Sequence, residues 1–252
     1  MKFNTKKLIA LLFALCLITS SFVGSTLAKY TTKVSGSDTA RVAKFGVELT
    51  VDANLFEKQY AGNDTISVLA DDGKDVIAPG TSDDAVLFTI AGAPEVDVQV
   101  TVSLGAITMA TLPLGDYNDY TVITDQNSDN KVDAADIIKF NLAEDYKPVK
   151  WTLKKNSTVV TNAASVALEN VNLDVINDYL EDELSGQYNV EGTETFADVI
   201  GNYALSWVWA YDGVNDKADT FMGQVAADVE TAPAGYVADE SFAFSLEVTQ
   251  VD

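Results

Sequence analysis

The chain reads as an all-β protein: a jelly-roll-type β-sandwich with one or two short inserted helices. Three observations carry that reading. Segment after segment, from Val47 to Val248, alternates apolar and polar residues with period two, the mark of half-buried antiparallel strands. Apolar residues at helical spacing are confined to short runs. The only cysteine is Cys16, so disulfides cannot stabilise the body, and residues 29–252 are long enough to bury one large core instead.

In chain order, Val47, Leu49 and Val51 alternate with Glu48, Thr50 and Asp52. Residues 85–90 are more continuously apolar and follow the turn-rich Ala78-Pro-Gly-Thr-Ser-Asp-Asp84. Residues 96–104, Val-Asp-Val-Gln-Val-Thr-Val-Ser-Leu, alternate throughout. Residues 121–124 and 149–153 are further strands, and Lys154-Lys-Asn-Ser157 reads as a hairpin turn into Thr158-Val-Val160. Leu205, Trp207, Trp209 and Tyr211 share one face of a late strand; Phe242, Phe244, Leu246 and Val248 share one face of the last. Such stripes can serve as a carbohydrate platform, but a regular period of large apolar residues is the pattern of a core, and core is the expectation. Leu173, Ile176, Leu180 and Leu184 recur at helical spacing over 172–184, and 195–200 adds a turn.

Residues 1–28 have the three parts of a secretory signal: Lys2, Lys6 and Lys7, then an uncharged apolar stretch over 8–18, then small residues at Thr26-Leu-Ala28. The apolar stretch is shorter than the roughly 20 residues a bilayer crossing needs. Removal by a signal peptidase, a secreted product in the extracellular matrix or at the cell surface, and no membrane attachment after cleavage are therefore expected. The division is a signal at 1–28, an extended arm at 29–45, and one sandwich domain at 46–252 with an insertion near 125–142.

Charge is uneven. Past the signal, which holds three lysines and no acid, 13 basic residues face 38 acidic ones. Lys29, Lys33, Arg41 and Lys44 against Asp38 leave the arm at +3, so the rest carries −28. A body this acidic argues against nucleic acid and anionic membrane as partners and suits divalent cations, although most of these charges serve as solvated surface. No histidine occurs, which excludes Ser-His-Asp and Cys-His catalysis and the usual His-based zinc sites. Carboxylates are so frequent that no acid–base pair stands out, no phosphate-cradling glycine loop is present, and a non-enzyme is expected. The sequons at Asn63 and Asn156 read as polar turns.

The sharpest local motif is Asp125-Gln-Asn-Ser-Asp-Asn-Lys-Val-Asp-Ala-Ala-Asp136. Asp125, Asn127, Asp129, Asp133 and Asp136 stand at positions 1, 3, 5, 9 and 12 of an EF-hand-type loop, and Lys131 at position 7 would give its backbone carbonyl. Calcium wants 6–8 hard oxygens, and this spacing wraps them around one point. One Ca2+ is expected there, with residues 137–142 as the helix-like run that follows. The loop resembles a single dockerin-type repeat, with Asn130 where glycine is usual. No second loop accompanies it, so cohesin binding is not implied.

Thr26-Leu-Ala-Lys-Tyr-Thr-Thr32 and the polar, strand-prone segment after it resemble the start of the TasA/camelysin family of secreted proteins of Gram-positive bacteria. Val76-Ile-Ala-Pro-Gly-Thr-Ser82 and Phe88-Thr-Ile-Ala-Gly-Ala-Pro-Glu-Val96 are similar to that family's early strands. Trp207-Val-Trp209, Asn215-Asp-Lys-Ala-Asp-Thr-Phe-Met-Gly223 and Leu246-Glu-Val-Thr-Gln-Val251 are similar to its late ones. The resemblance implies a jelly-roll subunit of biofilm-matrix filaments in which the N-terminal segment of one copy completes the sheet of the next. The partners would be further copies of the chain, and other matrix proteins. The alternatives are a first strand paired within its own chain, a monomeric calcium-binding adhesion module, and a camelysin-like protease. The last lacks His-Glu-x-x-His and any histidine.

Overall fold

The computed structural model describes residues 43–51, 55–63, 66–69, 74–118, 139–211, 213–227 and 232–251. The expected signal, the arm up to residue 42, the strand at 121–124 and the calcium loop with its six ligands lie outside them.

Two antiparallel sheets share one core. The larger runs β1 (Val47–Val51), β4 (Ser82–Gly92), β11 (Gly201–Trp209), β8 (Val149–Lys155), β9 (Thr158–Val159) across its width. The smaller runs β10 (Gly186–Tyr188), β5 (Val98–Thr108), β12 (Ser241–Gln250). Two minor ladders join β2 (Gln59–Asn63) to β3 (Ile66–Leu69) and β6 (Gly115–Asp116) to β7 (Asn141–Leu142). The period-two segments became strands because their alternate residues could be buried. Val98, Val100, Val102 and Leu104 of β5 are buried, as are Val149, Trp151 and Leu153 of β8 and Tyr203, Leu205, Trp207 and Trp209 of β11. Each such side chain contributes roughly 1.5–3 kcal/mol on burial.

Aromatic rings join the sheets. Phe88 of β4 stacks on Phe244 of β12 with centroids 5.0 Å apart. Trp151 meets Phe242 edge-on at 5.8 Å. Below them Phe56 sits between Trp151 and Trp207, at 6.0 and 5.5 Å, and the Leu55 carbonyl accepts a 2.6 Å hydrogen bond from Trp207 Nε1. The tryptophan stripe is therefore core. Tyr211, expected on the same face, lies beyond the end of β11 and is 64% exposed.

The helical spacing at 172–184 forms α1 (Leu173–Tyr179), which continues into a wider π turn, Leu180–Leu184. The four residues at helical spacing, Leu173, Ile176, Leu180 and Leu184, are all buried, and Val175 points outward. The polar residues of this segment cover part of β5, which β10 flanks only from Val98 to Val100. Beyond that, the β5 amides of Leu104 and Val102 donate to Asn177 Oδ1 (2.6 Å) and Ser185 Oγ (2.8 Å). The turn expected at 195–200 is a 3-10 helix, Phe196–Asp198.

Two expectations are corrected. The segment after Trp209, likened above to a late strand, is a twelve-residue helix, α2 (Asp216–Ala227). It forms because Ala218, Phe221, Met222 and Val225 fall on one helical face and are buried together. The run at 137–142 is not a helix in its described part, since Asn141–Leu142 is β7, paired with Asp116 and Gly115.

Candidate assembly interface

β1 follows a sharp corner. Gly46 has φ +50° and Gly92 φ +120°, and a Cβ on Gly92 would lie 2.1 Å from the Gly46 carbonyl oxygen. Only glycine allows so close an approach in that backbone conformation. Residues 44–46 then run beside 93–95. The Ala93 amide donates to the Gly46 carbonyl at 3.0 Å, the Glu95 amide to the Lys44 carbonyl at 2.8 Å, and the Lys44 amide to Glu95 Oε2 at 3.0 Å. Two residues on, the Val251 amide donates to the Asp97 carbonyl at 2.9 Å. The end of the arm, residues 43–45, is thus fixed in the fold, and it enters at the corner where β12 finishes.

Among the described residues, β1 pairs only with β4 and β12 only with β5. Val47, Leu49 and Val51 stand opposite Gly92, Ile90 and Phe88. Since Ile90 and Phe88 are buried, this row of β1 faces the sandwich interior. Yet Leu49 is 37% and Val51 54% exposed. The facing sheet supplies the reason. Its outer strand is β12, and Phe242, Phe244, Leu246 and Val248 are only half-buried, where full burial would have been the simplest expectation for that stripe. Among the described residues, an apolar flank is left open between β1 and β12. The other edge of the small sheet is covered by Asn177 and Ser185, whereas this one carries no such cover among the described residues.

The insertion is rooted elsewhere. The β6–β7 ladder closes its base, Tyr117 stacks on Phe140 at 4.8 Å, and both rings meet Phe221 of α2 edge-on. The Lys217 ammonium donates to the Lys139 carbonyl at 3.2 Å. Asp125, Asn127, Asp129, Lys131, Asp133 and Asp136 lie between these anchors and outside the described residues. Among the described residues no group of three or more histidines, cysteines or carboxylates is placed to hold a metal ion.

Two carboxylates that the sequence did not single out bind core side chains, Asp219 buried and Glu240 half-buried. Asp219 on α2 accepts from Tyr146 Oη (2.7 Å) and Trp209 Nε1 (2.9 Å). Glu240, just before β12, accepts from Trp151 Nε1 (2.9 Å) and the Ala110 amide (2.7 Å), tying both sheets together. Burial pushes its pKa up to about 7, partly offset by those two hydrogen bonds and by Lys147 and Lys150. Neither could be found from sequence, because their partners lie 10–130 residues away.

Comparison with protein-family models, with curated proteins and with solved structures returns no match to this chain. No helix among the described residues is long and apolar enough to cross a membrane.

Proposed function

We propose that the chain is a structural subunit of extracellular filaments, joined head-to-tail when the arm of one copy adds as a strand to the open flank of the next. The observation that supports this most is the exposed inward row of β1 beside the uncovered edge of β12. A strand laid there would satisfy the free backbone groups of β12 and bury Leu49 and Val51. Because donor and acceptor are different surfaces, the contact does not close on itself and propagates into a fibre.

The point where residues 43–45 enter the fold favours a donor in trans. β12 runs toward the corner, and so does the arm, so in its own chain the arm would lie parallel to β12. Parallel pairing is slightly weaker per residue, and a neighbouring copy is free to pair either way. Extended, residues 29–42 reach roughly 45–50 Å, enough to leave the corner and span a ten-residue strand. The +3 charge of the arm complements the acidic body. On this reading the protein acts outside the cell after cleavage by a signal peptidase, has no catalytic role, and binds one calcium ion at 125–136.

Negative-stain microscopy of the chain from Lys29, with calcium and with chelator, tests the reading. Fibres are expected, and deletion of residues 29–42 is expected to leave a folded monomer. Fibres that persist in the deletion would sink strand donation. Fibres only with calcium would make the loop a switch; folded monomers throughout would favour a calcium-binding adhesion module.

A further inference from the structure

Lys150 and Asn172 meet at the junction of β8 and α1. The Lys150 ammonium donates to Asn172 Oδ1 at 2.8 Å. Asn172 is the N-cap of α1, where an asparagine ordinarily turns its side-chain oxygen to a backbone amide two or three residues ahead. Here it makes no such bond. The neighbours of both residues are clamped together, Trp151 and Val171 exchanging backbone hydrogen bonds of 2.7 and 3.0 Å. The backbone positions that carry the pair are therefore held in register. Asp174, Glu144 and Glu240 lie within electrostatic range of the ammonium, with Lys147 as the other cation.

We propose that Lys150 and Asn172 become joined by an intramolecular isopeptide bond. The neutral Lys150 amine attacks Asn172 Cγ, forming the Nζ–Cγ bond. The Cγ–Nδ2 bond breaks, and Nδ2 leaves as ammonia, taking the hydrogen that Nζ gives up. A primary amide becomes a secondary amide, and no oxidant or cofactor is consumed. A carboxyl group would relay the proton, and Asp174, two residues beyond Asn172, lies within electrostatic range of the amine.

Two features of the surroundings favour the step. Burial lowers the pKa of Lys150 and Lys147 lowers it further, partly offset by Asp174, Glu144 and Glu240, so more of the amine is neutral than at an open surface. Glu240, bonded to Trp151 on the inner face of β8 and within electrostatic range of the lysine, is raised toward neutrality. The product would tie β8 to the start of α1 across a separation of 22 residues in a chain whose body has no cysteine. It would act as a disulfide does, by restricting the unfolded chain, but without dependence on redox conditions.

The test is the intact mass of the purified chain, followed by tryptic mapping. The expected mass is lower than the sequence mass by one ammonia, and the map should contain a branched peptide linking residues 150 and 172. Lys150→Arg and Asn172→Ala should each restore the full sequence mass and remove the branched peptide. A wild-type chain at full sequence mass overturns the proposal. So does an ammonia loss that survives Lys150→Arg, because that marks cyclisation of the asparagine on its own backbone. The readout is a mass, so it does not depend on filament formation or on a variant's stability.

Discussion

Glu240 is a carboxylate with two donors and little water. Its ionised form suits both Trp151 Nε1 and the Ala110 amide, yet burial still raises its pKa from 4.5 to about 7. The folded protein therefore binds this proton more tightly than the unfolded chain. The sign follows from that. The associated stability is fully present below about pH 4.5 and is lost as pH rises through about 7, a change on the order of 3 kcal/mol. Urea midpoints measured from pH 5 to pH 8 should fall with pH in the wild type. Glu240→Gln cannot ionise and should flatten that part of the profile, while lowering stability overall, because its amide group opposes one of the two donors. An unchanged slope in the variant would show that another group is responsible.

At the scale of elements, the open flank makes a prediction that does not involve the arm. Val51→Lys places a charge on the inward row of β1, where the side chain is already 54% exposed. The monomer should lose no more than about 1 kcal/mol, since little packing is removed. Assembly should fail, because a docked strand would bury the ammonium without a partner. Normal fibres from this variant would place the acceptor elsewhere. The elements themselves were legible where apolar and polar residues alternate: β1, β5, β8, β11 and β12 fall there, whereas β4, read from a continuous apolar run at 85–90, starts at Ser82 inside the segment read as a turn. The hairpin at Asn156-Ser157 was legible too, both residues adopting the positive φ its turn needs. α2 was missed because Asp216, Asp219, Thr220 and Gly223 are poor helix formers, although Ala218, Phe221, Met222 and Val225 carry the helical period. The apolar flank could not be read at all. Leu49 and Val51 look like core in the sequence, and only the strand order reveals that the facing sheet stops short of them.

For the whole molecule, charge sets two opposing terms in the proposed assembly. Two bodies of −27 repel, while each donated segment 29–42, at +2, is attracted to the body that receives it. At 0.1 M salt the screening length is about 10 Å, shorter than the distance between the centres of two such domains, so body repulsion fades first. The local pairing of arm and flank fades only at higher salt. Elongation followed by light scattering should be slow at very low ionic strength, fastest near the physiological range, and slower again in molar salt. A rate that climbs steadily with salt would mean that the arm's charge contributes nothing.

The glycine corner has a mechanical consequence. Tension applied to the arm enters the fold at residue 43 and meets the Lys44–Glu95 and Gly46–Ala93 contacts before it reaches β1. Pulled along its own line, β1 loads its ladder with β4 in shear, so that all five residue pairs from Val47 to Val51 resist together. Force along a filament would pass through this narrow margin of the sandwich, from corner to neighbouring edge, and leave the tryptophan core largely unstressed.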